Sequence, residues 1–170
     1  MFANSRPSFV FITSRKALAM LVLCALTAGC AVSSLQPGAS REEALSRYGT
    51  PSRVVALAVG TRLQYSRQPA GQSAVMVDLD AAGRVTSVRE VLNRAGFSAV
   101  VVGQSTREDT ERTLGRPAMV DRVASWPGDI LTYRWREYDQ NMQYWFYLDE
   151  RQVVQRTGYA VEIPIRPNDD

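Results

Sequence analysis

The sequence predicts an α+β fold made of two tandem repeats, each with one or two short helices packed on a three- or four-stranded antiparallel sheet. Two observations carry this prediction. The pattern of Ser40 to Pro51 recurs 66 positions later, at Thr106 to Pro117. Each copy is followed by short runs rich in β-branched and aromatic residues, which turn residues separate. Two copies with the same beginning, length and end favour an internal duplication over coincidence.

The chain begins with an export signal, because basic residues at positions 6, 15 and 16 precede the short apolar run 17–25. Leu26 to Cys30, which reads L-T-A-G-C, resembles a bacterial lipobox, although Thr27 stands where leucine is usual. The resemblance implies a lipoprotein signal peptide over residues 1–29 and lipid, including palmitate, on Cys30. The alternative is an ordinary secretory signal with a chance cysteine at its end. Ala31 is not the aspartate that resembles an inner-membrane retention signal, so we expect the periplasmic side of the outer membrane.

Removal of the signal changes the charge balance of the chain. The full sequence has a formal net charge of +3, with 20 basic and 17 acidic side chains. Residues 1–29 contain three basic and no acidic side chains, which leaves 17 of each sign in the mature chain. Nucleic acid binding, which depends on a basic surface, therefore has no support from composition.

The sequence lacks the residues that most enzymes use for acid–base or nucleophilic catalysis. It contains no histidine, and its two cysteines are Cys24, within the signal, and Cys30. No thiol nucleophile, disulfide or histidine base is therefore expected in the mature chain. We predict no enzyme activity, no metal and no cofactor. The weakest alternative is an enzyme acting on cell-wall material through a single acid such as Asp78 or Glu137.

The first copy opens with a helix. Residues 30–38 are expected to form a lipidated tether, and residues 39–95 the first repeat. Ser40 is predicted to cap a helix that ends at Tyr48, because Gly49 suits the left-handed position after a helix. Four predicted strands follow: Val54 to Leu57, Thr61 to Arg67, Ala74 to Leu79 and Val85 to Val91. A turn at 80–83 joins the last two into a hairpin.

The second copy is predicted to span residues 96–163, followed by a polar tail at 164–170. Asn93 to Phe97 is predicted to join the copies. Periodicity leaves open whether Phe97 to Val102 is a strand or the apolar entry to the second helix. Thr106 is the predicted cap of that helix. By alignment with the first copy, the predicted strands of the second copy are Met119 to Val123, Ile130 to Arg136, Tyr144 to Asp149 and a last strand in which Val153 matches Val85.

Alternation within the strands predicts two faces for each sheet. Apolar residues assign one face to the helix-covered core: Val75, Val77, Leu79, Leu131, Tyr133, Trp135, Tyr144, Phe146 and Leu148. On the opposite face, Trp145 and Tyr147 replace Met76 and Asp78 of the first copy. Because tryptophan, tyrosine and arginine are enriched in binding hot spots, this face is the candidate partner-binding surface. Its candidate residues are Trp126, Arg134, Arg136, Trp145 and Tyr147. The alternative is that a loop or the other repeat covers this face.

The sequence resembles the SmpA/OmlA, or BamE-like, family of outer-membrane lipoproteins in three features. These are the lipobox, the helix with Ser/Thr, Arg and Glu at its start and Gly-x-Pro at its end, and the strands with a Leu, Asp turn. In this chain the resemblance applies to each repeat separately, and Ala39 replaces the Met of the family's Pro, Gly, Met entry. It implies a lipid-anchored protein-binding module that assists outer-membrane protein assembly or envelope maintenance, with the β-barrel assembly machinery as its expected protein partner.

The tandem layout also resembles the β-lactamase inhibitor protein, whose two repeats form a concave sheet. This resemblance implies one extended open face across two sheets placed side by side. It supports the alternative function, a partner-specific inhibitor or adaptor that is unrelated to barrel assembly. A purely structural tether is the simplest alternative.

Overall fold

The computed structural model describes residues 35–163. The predicted signal peptide, the lipidated Cys30 and the polar tail lie outside these residues. Leu35, which the prediction places in the tether, packs against the first hydrophobic core. Gly38 donates its backbone N–H to the Val85 carbonyl at 2.7 Å. The end of the predicted tether is therefore part of the folded body.

The described residues contain three helices and eight strands in chain order, and each copy has the order helix then four strands. The first copy contains α1 (Arg41–Tyr48), β1 (Arg53–Ala56), β2 (Thr61–Ser66), β3 (Ala74–Leu79) and β4 (Val85–Glu90). A short helix, α2 (Arg94–Ser98), follows it. The second copy contains α3 (Arg107–Leu114), β5 (Met119–Asp121), β6 (Ile130–Glu137), β7 (Gln140–Leu148) and β8 (Val154–Val161).

Both long helices are capped as the sequence predicts. The Ser40 hydroxyl accepts the Glu43 N–H at 3.1 Å, and the Thr106 hydroxyl accepts the Asp109 N–H at 3.1 Å. Each acid in turn accepts a hydrogen bond from the backbone N–H of the capping residue, which completes a capping box. The glycines after the helices, Gly49 and Gly115, take positive φ values of 78° and 83°.

The strands form two separate four-stranded sheets with the orders β1-β2-β3-β4 and β5-β6-β7-β8, and all pairs are antiparallel. This arrangement, with helices beside each sheet, confirms the predicted α+β fold of two repeats. The two sheets are not continuous, because no strand of the first sheet pairs with a strand of the second among residues 35–163.

Details of the two sheets correspond closely. A register shift falls between Asp78 and Leu79 in β3, and another between Tyr147 and Leu148 in β7. Leu79 pairs with Val85 and Leu148 pairs with Val154. Leu79 and Leu148 are equivalent residues, so their partners Val85 and Val154 are equivalent too. The prediction that Val153 matches Val85 is therefore wrong by one residue.

The connection between the copies differs from both predictions. Neither a strand nor a direct entry to α3 forms here. Asn93 caps α2, with its side-chain oxygen accepting the Gly96 N–H at 2.9 Å. Phe97 is buried and stacks on Tyr144 at 4.2 Å between ring centroids. Helix α2 thus belongs to the core of the second copy and crosses the predicted boundary at residues 95 and 96.

The inner faces of both sheets are the ones that the apolar pattern predicts. The first core contains Ala44 of α1 together with Leu63, Val77 and Leu79. The second core places Phe97 and Leu114 against residues of β6, β7 and β8, which include Leu131, Tyr133, Trp135, Phe146, Leu148 and Val154.

The far face of the first sheet, which points away from α1, is not open. Its residues Ala74 and Met76 are fully buried and belong to the core of the second copy, together with Leu114 of α3. The Gln64 amide donates to the carbonyl oxygens of Glu111 and Arg112 at 3.1 and 2.9 Å. Helix α3 therefore lies between the two sheets. The expectation that Met76 and Asp78 face away from all helices is wrong, because the second copy supplies the covering helix.

Candidate partner-binding face

The outer face of the second sheet, defined as the face opposite α2 and α3, carries the residues that the sequence predicts. Register places Thr132 opposite Trp145, and Ile130 opposite Tyr147. Across the next pair of strands, Trp145 stands opposite Gly158 and Tyr147 opposite Arg156. The other members of this face are Met119, Asp121, Arg134, Arg136, Asn141, Gln143 and Ala160.

Trp145 lies at the centre of this face, on a base of small residues. A Cβ atom placed on Gly158 would stand 3.6 Å from Cε3 of Trp145, an ordinary van der Waals distance, so the indole lies beside Gly158 with room for a methyl group. Thr132, on the other side, is 2% exposed, and its hydroxyl has no hydrogen-bond partner among the described residues. Trp145 itself stays partly exposed. It therefore presents an aromatic surface that its neighbours hold in place.

Tyr147 belongs to a second aromatic group, which the turn between β5 and β6 completes. Trp126 meets the Tyr147 ring edge-on at 5.3 Å and donates its indole N–H to the Leu148 carbonyl at 2.6 Å. The Arg156 guanidinium lies 5.2 Å from the centroid of the Tyr147 ring, within cation–π range. The structure thus brings Trp126, Tyr147 and Arg156 together on the outer face.

Arg156 is a residue of this group that the sequence prediction missed. The prediction located only the beginning of the last strand and did not extend the alternation along it. With Val154 buried and one extra residue at the register shift, Arg156 falls on the outer face. The first sheet has the same shift, with Thr86 of β4 as the extra residue, and this shift is visible only in the structure.

The turn that carries Trp126 is anchored by a buried carboxylate. Asp129 is 5% exposed and accepts hydrogen bonds from Arg122 Nε at 2.6 Å and Arg107 Nη1 at 2.9 Å. The hydrogen bond from Arg122 lowers the pKa of Asp129, and the nearby charges of Arg122 and Arg107 add to this shift. The ionised carboxylate therefore fixes the turn to α3, which positions Trp126 beside Tyr147.

Arg134 is held by acceptors within the chain. Its guanidinium donates to Glu162 at 2.7 and 3.1 Å and to the Pro69 carbonyl at 2.8 Å. The side-chain amide of Gln68 accepts the backbone N–H of Arg134 and donates to the Arg134 carbonyl. These bonds lie on the part of the β6 edge that the short strand β5 does not reach. A loop of the first copy thus closes one end of the outer face.

Arg136 is the predicted arginine that remains available. Its side chain is 62% exposed, and its nearest acid, Asp139, is 3.8 Å away in an equally exposed turn. Together with Arg156 it provides positive charge on either side of Trp145. The role of all five predicted residues in binding a partner stays a prediction.

The two acids that represent the enzyme alternative are both paired with arginine. Asp78 accepts hydrogen bonds from Arg62 at 2.6 and 2.9 Å and from Arg89 at 2.9 Å. The Arg62 hydrogen bond lowers the pKa of Asp78, and a hydrogen bond from Arg94 lowers the pKa of Glu137. Carboxylates with lowered pKa values stay ionised at neutral pH, which does not favour proton donation.

Among residues 35–163, no group of three or more acidic, histidine or cysteine side chains is placed to hold a metal ion. Within the same residues, no helix has the length and apolar character needed to cross a bilayer.

Comparison with known proteins identifies no family for this chain. No protein-family model matches it, and no curated protein matches it. A solved structure with some similarity is that of a DUF4309 family protein (YjgB) from Bacillus subtilis subsp. subtilis str. 168. The sequences are 15% identical, the similarity covers 73% of this chain and 79% of that one, and the TM-score is 0.31. A similarity of this size carries no argument about fold or function.

Proposed function

We propose that this chain is a lipid-anchored protein-binding module on the periplasmic side of the outer membrane. It acts like the BamE-like lipoproteins that its repeats resemble, assisting outer-membrane protein assembly or envelope maintenance. The anchor is Cys30, after a signal peptide over residues 1–29. The binding surface is the outer face of the second sheet, and the partner is a protein, with the β-barrel assembly machinery as the expected one.

The observation that supports the binding surface is the partial exposure of Trp126, Trp145 and Tyr147 on one face. Aromatic side chains bury large areas on association and lose little conformational entropy when neighbours already hold them in place. Trp145 lies beside Gly158 on the neighbouring strand, and Trp126 supports Tyr147 from the side. Such pre-ordered aromatics with flanking arginines have the composition of binding hot spots.

The proposal is tested by purifying the lipidated chain from the cell envelope in mild detergent and identifying the proteins that accompany it. A Trp145→Ala, Tyr147→Ala double variant is compared with the natural chain and with a Tyr138→Ala control. Tyr138 suits the control because it is 94% exposed in the β6–β7 turn, away from the outer face. We expect the barrel-assembly complex with the natural chain and the control, and at least tenfold less with the double variant, on the order of one lost hot spot.

Two other results would contradict parts of the proposal. Recovery of a different protein, lost in the double variant, would keep the binding face and replace barrel assembly by an inhibitor or adaptor role. Equal recovery of the partner protein with the natural chain, the control and the double variant would show that the outer face is not the binding surface. Thermal unfolding of each variant shows whether a loss of binding reflects a loss of folding.

The anchor is tested separately. A Cys30→Ala chain should be absent from the membrane fraction and present in the soluble periplasmic fraction, because the lipid would no longer be attached. Retention of this variant in the outer membrane would show that Cys30 is not the anchor.

A further inference from the structure

Strand β8 forms one edge of the second sheet, and most of its outward backbone is uncovered. Its first residue, Val154, is covered, because its carbonyl accepts the Gly103 N–H at 2.7 Å and its N–H donates to the Ser105 carbonyl at 2.9 Å. At the other end, the Glu162 N–H donates inward to the Asn141 carbonyl at 2.8 Å. Since backbone groups alternate along a strand, the residues that face outward after the register shift are Thr157, Tyr159 and Val161.

These outward groups are left without backbone partners among residues 35–163. An edge with free N–H and C=O groups is a template for pairing with another strand. The sequence of β8, V-Q-R-T-G-Y-A-V, has one charged side chain in eight residues and no proline, so it carries few of the features that block edge pairing. The equivalent edge strand β4 has six residues, ends with Arg89 and Glu90, and leads directly into α2.

The side chains beside this edge are apolar and exposed. Tyr159 is 53% exposed and Val161 is 51% exposed, on the side of the sheet that α2 covers elsewhere. Tyr159 is held in place because its ring stacks with Tyr144 at 6.1 Å and the Arg94 guanidinium lies 5.1 Å from its centroid. A strand added to this edge would cover both side chains.

We propose that two copies of this chain pair through β8, antiparallel, about a twofold axis at Tyr159. This register pairs all three outward-facing residues with outward-facing residues of the second copy, so each N–H meets a carbonyl. It joins the two second sheets into one sheet of eight strands. The other facing residues are Thr157 with Val161, Gly158 with Ala160, and Arg156 with Glu162 of the second copy.

Charge and symmetry favour a second copy over an unrelated strand. Arg156 and Glu162 are the charged residues closest to the free edge, and the twofold register sets them opposite each other. Glu162 also accepts hydrogen bonds from Arg134, so Arg156 of the second copy would be the second arginine beside this carboxylate. Opposite charges across an antiparallel pair are favourable, whereas like charges are not. Tyr159 meets its own equivalent, which gives an aromatic pair at the axis. A self-complementary patch of this kind is what a twofold dimer requires. The pairing goes beyond the proposed function and does not involve Trp145 or Tyr147, although Arg156, which also belongs to the outer face, takes part in it.

Disulfide cross-linking of the lipidated chain in its membrane tests this register. In a Tyr159→Cys variant the two Cα atoms of a hydrogen-bonded pair would be about 5.5 Å apart, which is within disulfide range. In a Gln155→Cys control the two cysteines would be eight residues apart along the strands, about 27 Å. We expect oxidation to give covalent dimers of Tyr159→Cys. The control should give none because its cysteines are too far apart, and the natural chain should give none because its Cys30 thiol carries the lipid.

A second variant separates strand pairing from crowding in the membrane. Val161→Pro removes an N–H that faces outward, so it spares the hydrogen bonds to β7. In detergent, the natural chain and a Val161→Thr control should sediment as dimers, and Val161→Pro should dimerise on the order of tenfold or more weakly. Far-UV circular dichroism checks that Val161→Pro is folded. The proposal is overturned if Tyr159→Cys stays monomeric, if it cross-links only to a different protein, or if a folded Val161→Pro dimerises like the control.

Discussion

The far face of the first sheet and the outer face of the second sheet are equivalent surfaces of the two copies, and they meet different surroundings. On the first, Met76 is fully buried and Gln64 donates to two carbonyls of α3. On the second, Trp145, the counterpart of Met76, is partly exposed. The stacking of the two copies therefore makes the first surface an interior layer and leaves the second at the end of the stack. A terminal surface is free to acquire a binding role that an interior layer cannot have.

The two helices show the same difference. Helix α3 is held from both sides, since Tyr133 of the second sheet donates to the Gly115 carbonyl at 2.9 Å and Gln64 of the first sheet reaches its last turn. Helix α1 packs on one sheet. Tyr65, the counterpart of Tyr133 in the first sheet, has a buried hydroxyl without a hydrogen-bond partner among the described residues. Equivalent substitutions in the two copies should therefore have unequal effects.

The largest inequality is expected at Met76 and Trp145. Met76→Ala should destabilise the chain by about 2 to 5 kcal/mol, because it leaves a cavity between the first sheet and α3. Trp145→Ala removes a larger side chain but should cost less than half as much, because that ring already contacts solvent. Urea unfolding of both variants provides the measurement. Equal losses of stability would mean that the two faces are equally covered.

A second inequality is expected at the glycines that end the long helices. Gly49 and Gly115 have φ, ψ values of 78°, −153° and 83°, −170°, a region that is nearly restricted to glycine. Alanine should therefore cost about 2 kcal/mol at Gly49. At Gly115 the added Cβ would also lie 3.3 Å from Met76 Cε and Ser66 Cβ, whereas at Gly49 it would meet nothing within 4 Å.

The Gly115→Ala variant should thus unfold at lower denaturant concentration than Gly49→Ala, by roughly a further 1 kcal/mol. The reverse order would argue against the close contact between α3 and the first sheet.

The third comparison concerns Asp78, whose counterpart on the outer face is Tyr147. Hydrogen bonding to Arg62 lowers the pKa of Asp78 below its ordinary value of 3.8, so the carboxylate stabilises the folded chain when it is ionised. This stabilisation is fully present above the unfolded pKa and is lost as pH falls through the lower folded pKa. Asp78→Asn should therefore cost on the order of 2 kcal/mol at pH 7, and this cost should decrease as the pH falls below 3.8.

Urea unfolding of Asp78→Asn and the natural chain at several pH values checks this dependence. Other paired carboxylates lose their effect in the same range, so the difference between the two chains is the relevant quantity. A difference that stays constant from pH 7 to pH 3 would show that the charge of Asp78 does not contribute.

The smallest effect is expected in the β-turns that precede the last strand of each copy. Gly83 has a φ of 77° in the first copy, and Gln152 takes a φ of 63° at the equivalent place in the second. A left-handed conformation is unfavourable for glutamine, so Gly83→Gln should destabilise the chain by about 0.5 to 1 kcal/mol. Gln152→Gly relieves the same conformation but removes the hydrogen bond between the Gln152 side chain and Asp129, so its effect on stability should be smaller. A fall in melting temperature for Gly83→Gln that is larger than the change for Gln152→Gly is the expected observation.

Local signals predicted the helices and strands well. The residues that begin and end the two long helices have strong conformational preferences of their own. The predicted caps, Ser40 and Thr106, and the predicted helix ends, Gly49 and Gly115, are confirmed in both copies. The inner faces followed from alternation, which buries Val77 and Phe146 as expected. Helix α2 was missed because its five residues are too short to show a helical period.

The stacking of the copies could not be predicted in the same way. Alternation separates the two faces of a strand but does not identify what covers each face. Met76 and Trp145 are both compatible with a covered or an open surface, and only the contact with α3 decides between them. The same limit applies to the candidate site. Trp145 and Tyr147 follow from the pattern, whereas the engagement of Arg134 by Glu162 and Pro69 depends on a loop from the other copy.

Site-specific photo-cross-linking in the living cell tests most directly whether the uncovered sheet face binds a partner. A photoreactive residue at Arg136 would lie on the outer face, and one at Arg89, which is 55% exposed on β4, would serve as the comparison position in the first copy. We predict that position 136 cross-links to one envelope protein and that position 89 does not. Cross-links of equal strength at both positions, or from position 89 alone, would contradict the assignment of the binding surface to the second sheet.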